Sequence, residues 1–407
     1  MPTISLKEPF IWLENSPIKN LISVLKSDNN HTFCFVGGCL RDSLIKKPFT
    51  DYDIASSNTP EENMLLLKKF SLPIIPIGIK HGTISTIIEN QSFEITSLRK
   101  DIATNGRHAE VIFTKDFFED SLRRDFTFNA LYFNPISAEF YDYHNGVEDL
   151  LNRKINFIGN PADRIKEDYL RILRYFRFFC FFADNIDKDS LEIIKYLSPN
   201  LKNLSRERIS QEFIKILTHP NPTKTLRLME EYEVFNNLFA IDKYSILKFE
   251  NICEIEKVFN LEPNLILRAS YLLNNPEEVN KFILKKSDAM LIKNVVQLKN
   301  FINQYKVVDY GEICELVLHY GYESLINALI INGSVESYNK HHYIEIINKL
   351  TEKSQLEFPI SGNDLINLGL NSTDIGIYMK KIKLIFWQYP LKTKEEYLEI
   401  IKNWLKV

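Results

Sequence analysis

Residues 37–53 read GGCLRDSLIKKPFTDYD. Two glycines lead into a helix-like segment containing Arg41, and ten residues further on Asp51 and Asp53 flank a single tyrosine. Side chains alternate faces along a strand, so a D-x-D pair presents both carboxylates on one face. Two hard anionic oxygen ligands suit Mg²⁺, which takes a few carboxylates together with substrate phosphates. The Gly37-Gly38 turn lets backbone amides approach a triphosphate, and Arg41 is suited to grip it. A bare D-x-D is usually a solvated strand or turn, and a lone Gly-Gly is usually a turn. In this order and spacing they describe a nucleotide held by metal, ready for phosphoryl or nucleotidyl transfer.

The chain has 407 residues, room for roughly two to four compact units. Its hydrophobic content of 45% supports sizeable cores, and its net charge of −3 announces no nucleic-acid partner. Local charge differs: residues 151–220 hold 13 Lys and Arg against nine Asp and Glu, a mildly basic region that suits an RNA backbone. The cysteines at 34, 39, 180, 253 and 314 form no C-x-x-C, which predicts reduced thiols and a cytoplasmic protein. Cys39, inside the glycine segment, reads as a small packing residue. The first residues show no signal-peptide pattern, and no apolar run is long enough to span a bilayer, so no membrane partner is expected.

The predicted class is α+β. A mixed α/β head over residues 1–150 precedes an elongated all-helical remainder, with a neck at 151–220 and a body and tail at 221–407. Strands are expected at 32–36, 51–55, 74–77, 83–88 and 92–98. Thr59-Pro60-Glu61-Glu62 marks the start of a helix.

Two further stretches bear on the site. RRDFTFNALY (123–132) sets paired arginines beside an apolar run. Arg124 is suited to a bidentate triphosphate contact. Asp125 and Asn129, four apart on a presumed helix, would share a face and receive ribose hydroxyls. RIKEDYLRILRYFRF (164–178) reads as one amphipathic helix with Arg164, Asp168, Arg171 and Arg174 in one polar sector. The plain reading is a basic surface helix whose ion pairs matter little. The chemical reading is a base reader: Asp168 only accepts hydrogen bonds and Arg171 donates them. That pair matches the amino group and ring nitrogen shared by cytosine and adenine. Glu167 would hold Arg171 from position i−4.

GGCLRD, DYD, IKHGT, EITSLR, GRHAEVIF, RRDFTFNALY, DYHNGVEDL, EDYLRILRYFRF and LSRERI occur in an order that closely resembles the class II tRNA nucleotidyltransferases, the CCA-adding enzymes of the DNA polymerase β superfamily. The resemblance spans residues 33–217. It implies head, neck, body and tail domains, and the addition of C, C and A to tRNA 3′ ends from CTP and ATP with no nucleic-acid template. It also implies Mg²⁺ on Asp51 and Asp53, with Glu94 a candidate third carboxylate on a neighbouring strand. The triphosphate would lie on Gly37, Gly38 and Arg41, and the nucleotide against Arg124. Asp168 and Arg171 would read the base, with Arg174 and Arg177 completing the site. Residues 99–109 resemble the family's flexible loop, which takes part in adding the final A.

Three alternatives stand beside this reading. A bacterial poly(A) polymerase shares the head and neck but usually has a basic segment where this chain reads PIGIKHGTIS. An A-only enzyme fits the same motifs. The third is an inactive RNA-binding protein on the same scaffold, against which the intact Asp51, Asp53, Arg124, Asp168 and Arg171 argue.

Overall fold

The computed structural model describes residues 10–405 except 77, 80–81, 106–107, 240, 242, 306–308, 336–339 and 390–392, with backbone alone for 101–105, 108–111, 335 and 340. The chain forms two compact units, Met1–Leu204 with Tyr232–Asn237, and Ser205–Glu231 with Leu238–Val407.

The first unit is built on a six-stranded sheet. Its strands are β1 (Phe33–Val36), β2 (Tyr52–Ser56), β3 (Thr83–Ile88) and β4 (Gln91–Ser97), while β5 (Arg99–Asn105) and β6 (His108–Phe113) form a separate hairpin, and β7 (Leu131–Asn134) and β8 (Glu139–Asp142) return to the sheet. The order is β3-β4-β2-β1-β7-β8, with β2 and β4 parallel and the other pairs antiparallel. Both faces of the central strand are covered. Phe33 and Phe35 enter a core with Ile18, Leu21 and Leu25 of α1 (Ser16–Lys26), while Cys34 and Val36 pack on the other side with Ala55, Leu98 and Tyr132. That explains the unbroken apolar run FCFV, since a strand buried on both faces shows no alternation. Between β1 and β2 lies α2 (Gly38–Leu44); α3 (Pro60–Lys69) begins with Pro60 in its first turn and a Thr59–Glu62 capping box, as its sequence signals.

Several expectations need correction. Residues 74–76 form no strand, Ile75 making a single bridge to Ser85, and the last residue of the expected 74–77 strand lies outside the described residues. After α4 (Phe117–Leu122), the 123–132 stretch is a short 3-10 turn, Thr127–Asn129, running straight into β7, and not a helix. Residues 99–109 fall largely in the β5–β6 hairpin, with a register shift between Asp101 and Ala103. The dipeptide Asn105-Gly106 between β-branched runs is a hairpin signal that the expectation of a loop passed over. After α5 (Gly146–Leu151), the expected single helix over 164–178 is two helices, α6 (Pro161–Glu167) and α7 (Leu170–Phe181), broken where Asp168 adopts an extended backbone (φ −153°, ψ 104°). α8 (Lys188–Leu197) follows.

Within the second unit the described regular elements are helices, from Arg206–Leu217 to Lys394–Leu405. Two buried cations close helix ends there. Arg268, 1% exposed, pairs with Glu256 at 2.7 Å and donates to the carbonyls of Leu217 and His219. Lys299 donates to the carbonyls of Ser270, Tyr271 and Leu273. These carbonyls lie at or beyond the ends of Arg206–Leu217 and Leu265–Leu272, where a helix leaves acceptors without internal donors. Among the described residues no helix is long and apolar enough to cross a membrane, and all five cysteines are free thiols.

Gly146 fixes the 3-10 turn. A Cβ at this position would lie 2.3 Å from the Thr127 carbonyl oxygen and 2.6 Å from its carbon. Backbone cannot yield as a flexible side chain does. Gly146→Ala should therefore destabilise the first unit by about 1–3 kcal/mol, read as a lower urea midpoint, and should displace Asn129. An unchanged midpoint would show that the turn is not held this tightly.

Candidate active site

The parallel pairing of β2 with β4 sets Asp53 beside Glu94 in register. Tyr52, Ile54, Phe93 and Ile95 point into the α1–α3 core, so Asp53 and Glu94 share the opposite face. Asp51 lies one residue before the strand and is exposed; Asp53 is half-buried and Glu94 exposed. Burial, with Glu94 and Asp51 nearby, pushes the Asp53 carboxyl up to about 6, although Arg124 and Arg41 pull the other way. Crowded acidic oxygens of this kind are relieved by a cation, and the donors are the hard oxygens that Mg²⁺ and similar ions prefer. Among the described residues no three His, Cys, Asp or Glu side chains converge closely enough to hold a metal by themselves. A site of two carboxylates completed by substrate phosphate fits this arrangement.

Opposite the carboxylates is a cluster of guanidinium groups. Gly37 ends β1 with φ +73° and ψ −118°, a conformation open to glycine and strained for other residues. Its amide bonds to the Leu131 carbonyl, and α2 starts at the next residue. Gly38 therefore opens the helix, where the first amides have no intrahelical acceptor. One turn on, Arg41 donates through Nε and Nη2 to Asp42 (2.8 and 2.7 Å) and through Nη1 to Asn129 Oδ1 (2.7 Å). Asn129 donates to Asp125 Oδ1 (3.0 Å), and Asp125 Oδ2 accepts from Arg174 Nε (2.6 Å). A continuous polar chain thus joins Asp42, Arg41, Asn129, Asp125 and Arg174. Despite its burial, Asp125 is held far below the ordinary carboxylate range, chiefly by Arg174 and Asn129. Asp125 and Asn129 touch one another as expected, but across a turn.

Arg124 is fixed from three sides. It bonds to Tyr132 Oη (2.9 Å), to Asp120 Oδ2 (3.2 Å) and to the Asn129 carbonyl (3.3 Å). Asp120, 1% exposed, also accepts from Tyr132 Oη (2.8 Å) and Arg123 Nε (2.8 Å). Burial opposes its charge, but these two guanidiniums and the phenol keep it ionised below the usual range. The sequence reading missed Asp120. Its signal was present in the i,i+3 and i,i+4 spacing to Arg123 and Arg124 on and just after α4.

The break after α6 arranges the remaining residues. Asp168 Oδ1 accepts from the Leu170 amide (3.1 Å), so the carboxylate sits at the head of α7. Arg171 Nη1 donates to Glu167 Oε2 (2.7 Å) and to the Arg164 carbonyl (2.7 Å), while its Nη2 reaches the Arg123 carbonyl (3.2 Å). Glu167 holds Arg171 from i−4, as the spacing suggested, and holds Arg164 as well at 2.5 Å. Arg164 in turn donates to the Arg124 carbonyl (2.7 Å). Arg177, which a helical wheel sets apart from Arg171, has its guanidinium 4.4 Å from the Phe178 ring centroid; Arg41 is 4.9 Å from the same ring. The structure therefore gathers Gly37, Gly38, Arg41, Arg124, Asp125, Asn129, Arg174 and Arg177 into one contact network. Asp53 is coupled electrostatically to its Arg124 and Arg41, Glu94 stands beside Asp53 on the next strand, and Arg171 is tied to it through the Arg123-Arg124 backbone.

A family profile described as "Poly A polymerase head domain" matches residues 33–156, and one described as "Probable RNA and SrmB- binding site of polymerase A" matches residues 185–241. The chain is 30% identical to the human protein named CCA tRNA nucleotidyltransferase 1, mitochondrial, over 98% of this chain and 93% of that protein. It is 32% identical to the CCA-adding enzyme of Oceanobacillus iheyensis over 98% of each. A crystal structure of the Bacillus stearothermophilus CCA-adding enzyme in complex with CTP shares the fold, with a TM-score of 0.73 over 96% of this chain and 98% of that chain at 21% identity. The relatives match nearly end to end, well past the motifs of the head and neck, and this chain belongs to the CCA-adding tRNA nucleotidyltransferase family.

Proposed function

We propose that this enzyme adds C, C and A to the 3′ ends of tRNA from CTP and ATP, releasing pyrophosphate at each step. The observation behind it is Asp53, with Asp51 and Glu94 close by, within electrostatic reach of the prearranged Arg124 and Arg41, in a chain that aligns over almost its whole length with CCA-adding enzymes. The tRNA 3′-hydroxyl attacks the α-phosphorus of the nucleotide, the bond to the β-phosphate breaks, and pyrophosphate leaves. Members of this family use a divalent metal, and we assign it as Mg²⁺ on Asp51 and Asp53, beside Glu94. A metal held by these residues would supply Lewis acidity toward the attacking hydroxyl and the leaving pyrophosphate. Gly37, Gly38, Arg41 and Arg124 hold the triphosphate, supported by Arg174 and Arg177. Asp125 and Asn129 have side chains engaged with Arg174 and Arg41, so their first task is to set those guanidiniums. Asp168 and Arg171 read the shared edge of cytosine and adenine. Uracil and guanine would turn a carbonyl toward Asp168 and an N–H toward Arg171.

We assign residues 1–150 to catalysis, 151–220 to base recognition and 221–407 to tRNA binding. Support for the last comes from the helix Ser372–Gln388, which has Lys380, Lys381 and Lys383 together. Lys381 lies over the rings of Tyr378 (5.4 Å) and Trp404 (5.9 Å), the interleaving of cations and aromatics that suits a nucleic-acid backbone. We place the protein in the cytoplasm, in keeping with its free thiols. Poly(A) synthesis is not favoured, because the near full-length relatives named above are CCA-adding enzymes.

In the metal-free protein Asp53 should titrate near pH 6, observable by carbon-detected NMR of the carboxyl. A divalent cation competes with that proton, so metal affinity should fall as pH drops through 6. Titration near the ordinary aspartate value would remove the burial and crowding argument.

Asp53→Asn should lower CMP and AMP addition alike by about a thousandfold or more. Asp168→Ala should instead weaken both additions while admitting UTP and GTP, since the repulsion of a wrong carbonyl disappears with the correct contact. Primer extension on tRNA lacking CCA, with each nucleotide supplied singly and in pairs, separates the two outcomes. A wild-type protein that adds only AMP would make this an A-only enzyme. An Asp168→Ala protein with normal rate and selectivity would end the base-reading assignment.

tRNA affinity should fall linearly with salt on a log–log plot. Neutralising Lys380, Lys381 and Lys383 to Gln should flatten that slope by up to about 3 while leaving CTP affinity unchanged. An unaltered slope would remove this helix from the RNA contact.

A further inference from the structure

We propose that Phe178 is a positioning residue of the nucleotide site, its ring face holding the guanidiniums of Arg41 and Arg177 in place for the triphosphate. This rests on the nucleotidyl-transfer reading given above. Three arginines converge on one ring: the guanidinium carbons lie 4.4 Å (Arg177), 4.9 Å (Arg41) and 5.8 Å (Arg174) from its centroid. All three are within the range at which a ring quadrupole attracts a cation, and the attraction is strongest where water is excluded. Phe178 is 3% exposed.

The ring has little freedom of its own. Phe126 and Phe128 meet it nearly edge-on, at 5.6 Å and 81° and at 5.1 Å and 73°, and Phe182 lies at 6.2 Å. Phe126 and Phe128 flank Thr127 in the same turn that presents Asn129 to Arg41. One aromatic cluster therefore sets both the hydrogen-bonding partner of Arg41 and the surface beneath its guanidinium. A plain core residue at this helix position would be served equally well by leucine or methionine. Neither offers a negative face to three cations.

The choice of a ring over a further carboxylate has a chemical consequence. A guanidinium has five N–H donors. Arg41 uses three of them on Asp42 and Asn129. The ring consumes no donor, so the other two remain for phosphate oxygens. Another carboxylate at this position would compete for them and would repel the incoming triphosphate. The ring steadies the arginine without doing either.

The test is a graded one in the full-length enzyme. Phe178 is replaced by 4-fluoro-, 3,5-difluoro- and 3,4,5-trifluorophenylalanine, which drain the ring face with little change of volume, and separately by leucine. The readouts are kcat and KM for CMP and AMP addition, the Kd for CTP with Mg²⁺, and the melting temperature. The expected result is a stepwise rise in KM and Kd for CTP and ATP alike, reaching about tenfold in the trifluoro protein. In that result kcat stays within about twofold, discrimination against UTP is kept, and the melting temperature stays level. The Phe178→Leu protein should match or exceed the trifluoro protein in KM. A flat series, a change confined to one nucleotide, or a rise in KM that merely tracks a falling melting temperature would overturn the proposal. A wild-type chain that binds CTP but never extends tRNA would instead overturn the assigned function, and the Kd series would still decide the role of the ring.

Discussion

Like charges gathered ahead of their ligand are the constraint around which the head is built. Asp51, Asp53 and Glu94 crowd one side of the site, where burial first and then the neighbouring charges lift the Asp53 carboxyl to about 6. Arg41, Arg124, Arg174 and Arg177 crowd the other. A bound nucleotide with its metal would neutralise both groups at once, but the fold must hold them beforehand. It does so with partners of its own: Asp42 and Asn129 for Arg41, Asp120 and Tyr132 for Arg124, Asp125 for Arg174, and the Phe178 ring for three of the four. Such fixed dipoles and charges need no reorganisation when the reaction begins, which is where electrostatic catalysis gains most.

The elements that present these groups follow from that need. The parallel β2–β4 pairing sets carboxylates side by side, which ordinary cross-strand preferences would disfavour. Gly37 bends the chain out of β1, so that α2 begins at the site and not past it. The close approach at Gly146 locks the Thr127–Asn129 turn. The break between α6 and α7 sets Asp168 at a helix head, while the Arg164–Glu167–Arg171 ion pairs bridge the gap. Two of the carboxylates here are buried yet held below the usual carboxylate range, and both are satisfied by guanidiniums at hydrogen-bonding distance.

Much of this was legible in the sequence, because charged residues at fixed spacing beside glycines have few other uses. The D-x-D, GG-x-x-RD and RRD segments come together in the head, with Asp53 within electrostatic reach of Arg41 and Arg124. Where structure and sequence pattern part, they do so for one cause: local geometry outranks periodicity. A helical wheel over 164–178 cannot see that Asp168 bonds to its own backbone two residues on and so favours a break, although aspartate is prone to do so. The Asp125–Asn129 spacing fits a helix, yet Phe126 and Phe128 stack in a hydrophobic cluster that imposes a turn. The β5–β6 hairpin was hidden by its polar composition, although Asn105-Gly106 was there to be read. Asp120 and Phe178 passed unnoticed because neither resembles a catalytic residue; their importance lies in what they hold.

The prearranged carboxylates and arginines must meet their ligands without rebuilding. A crystal structure of the full chain with CTP and Mn²⁺ measures that directly. Anomalous density for manganese should lie between Asp51 and Asp53, with the triphosphate against Arg41 and Arg124 and the Arg41 bonds to Asp42 and Asn129 intact. Manganese bound elsewhere, or Arg41 swung away from both partners to reach the nucleotide, would contradict it.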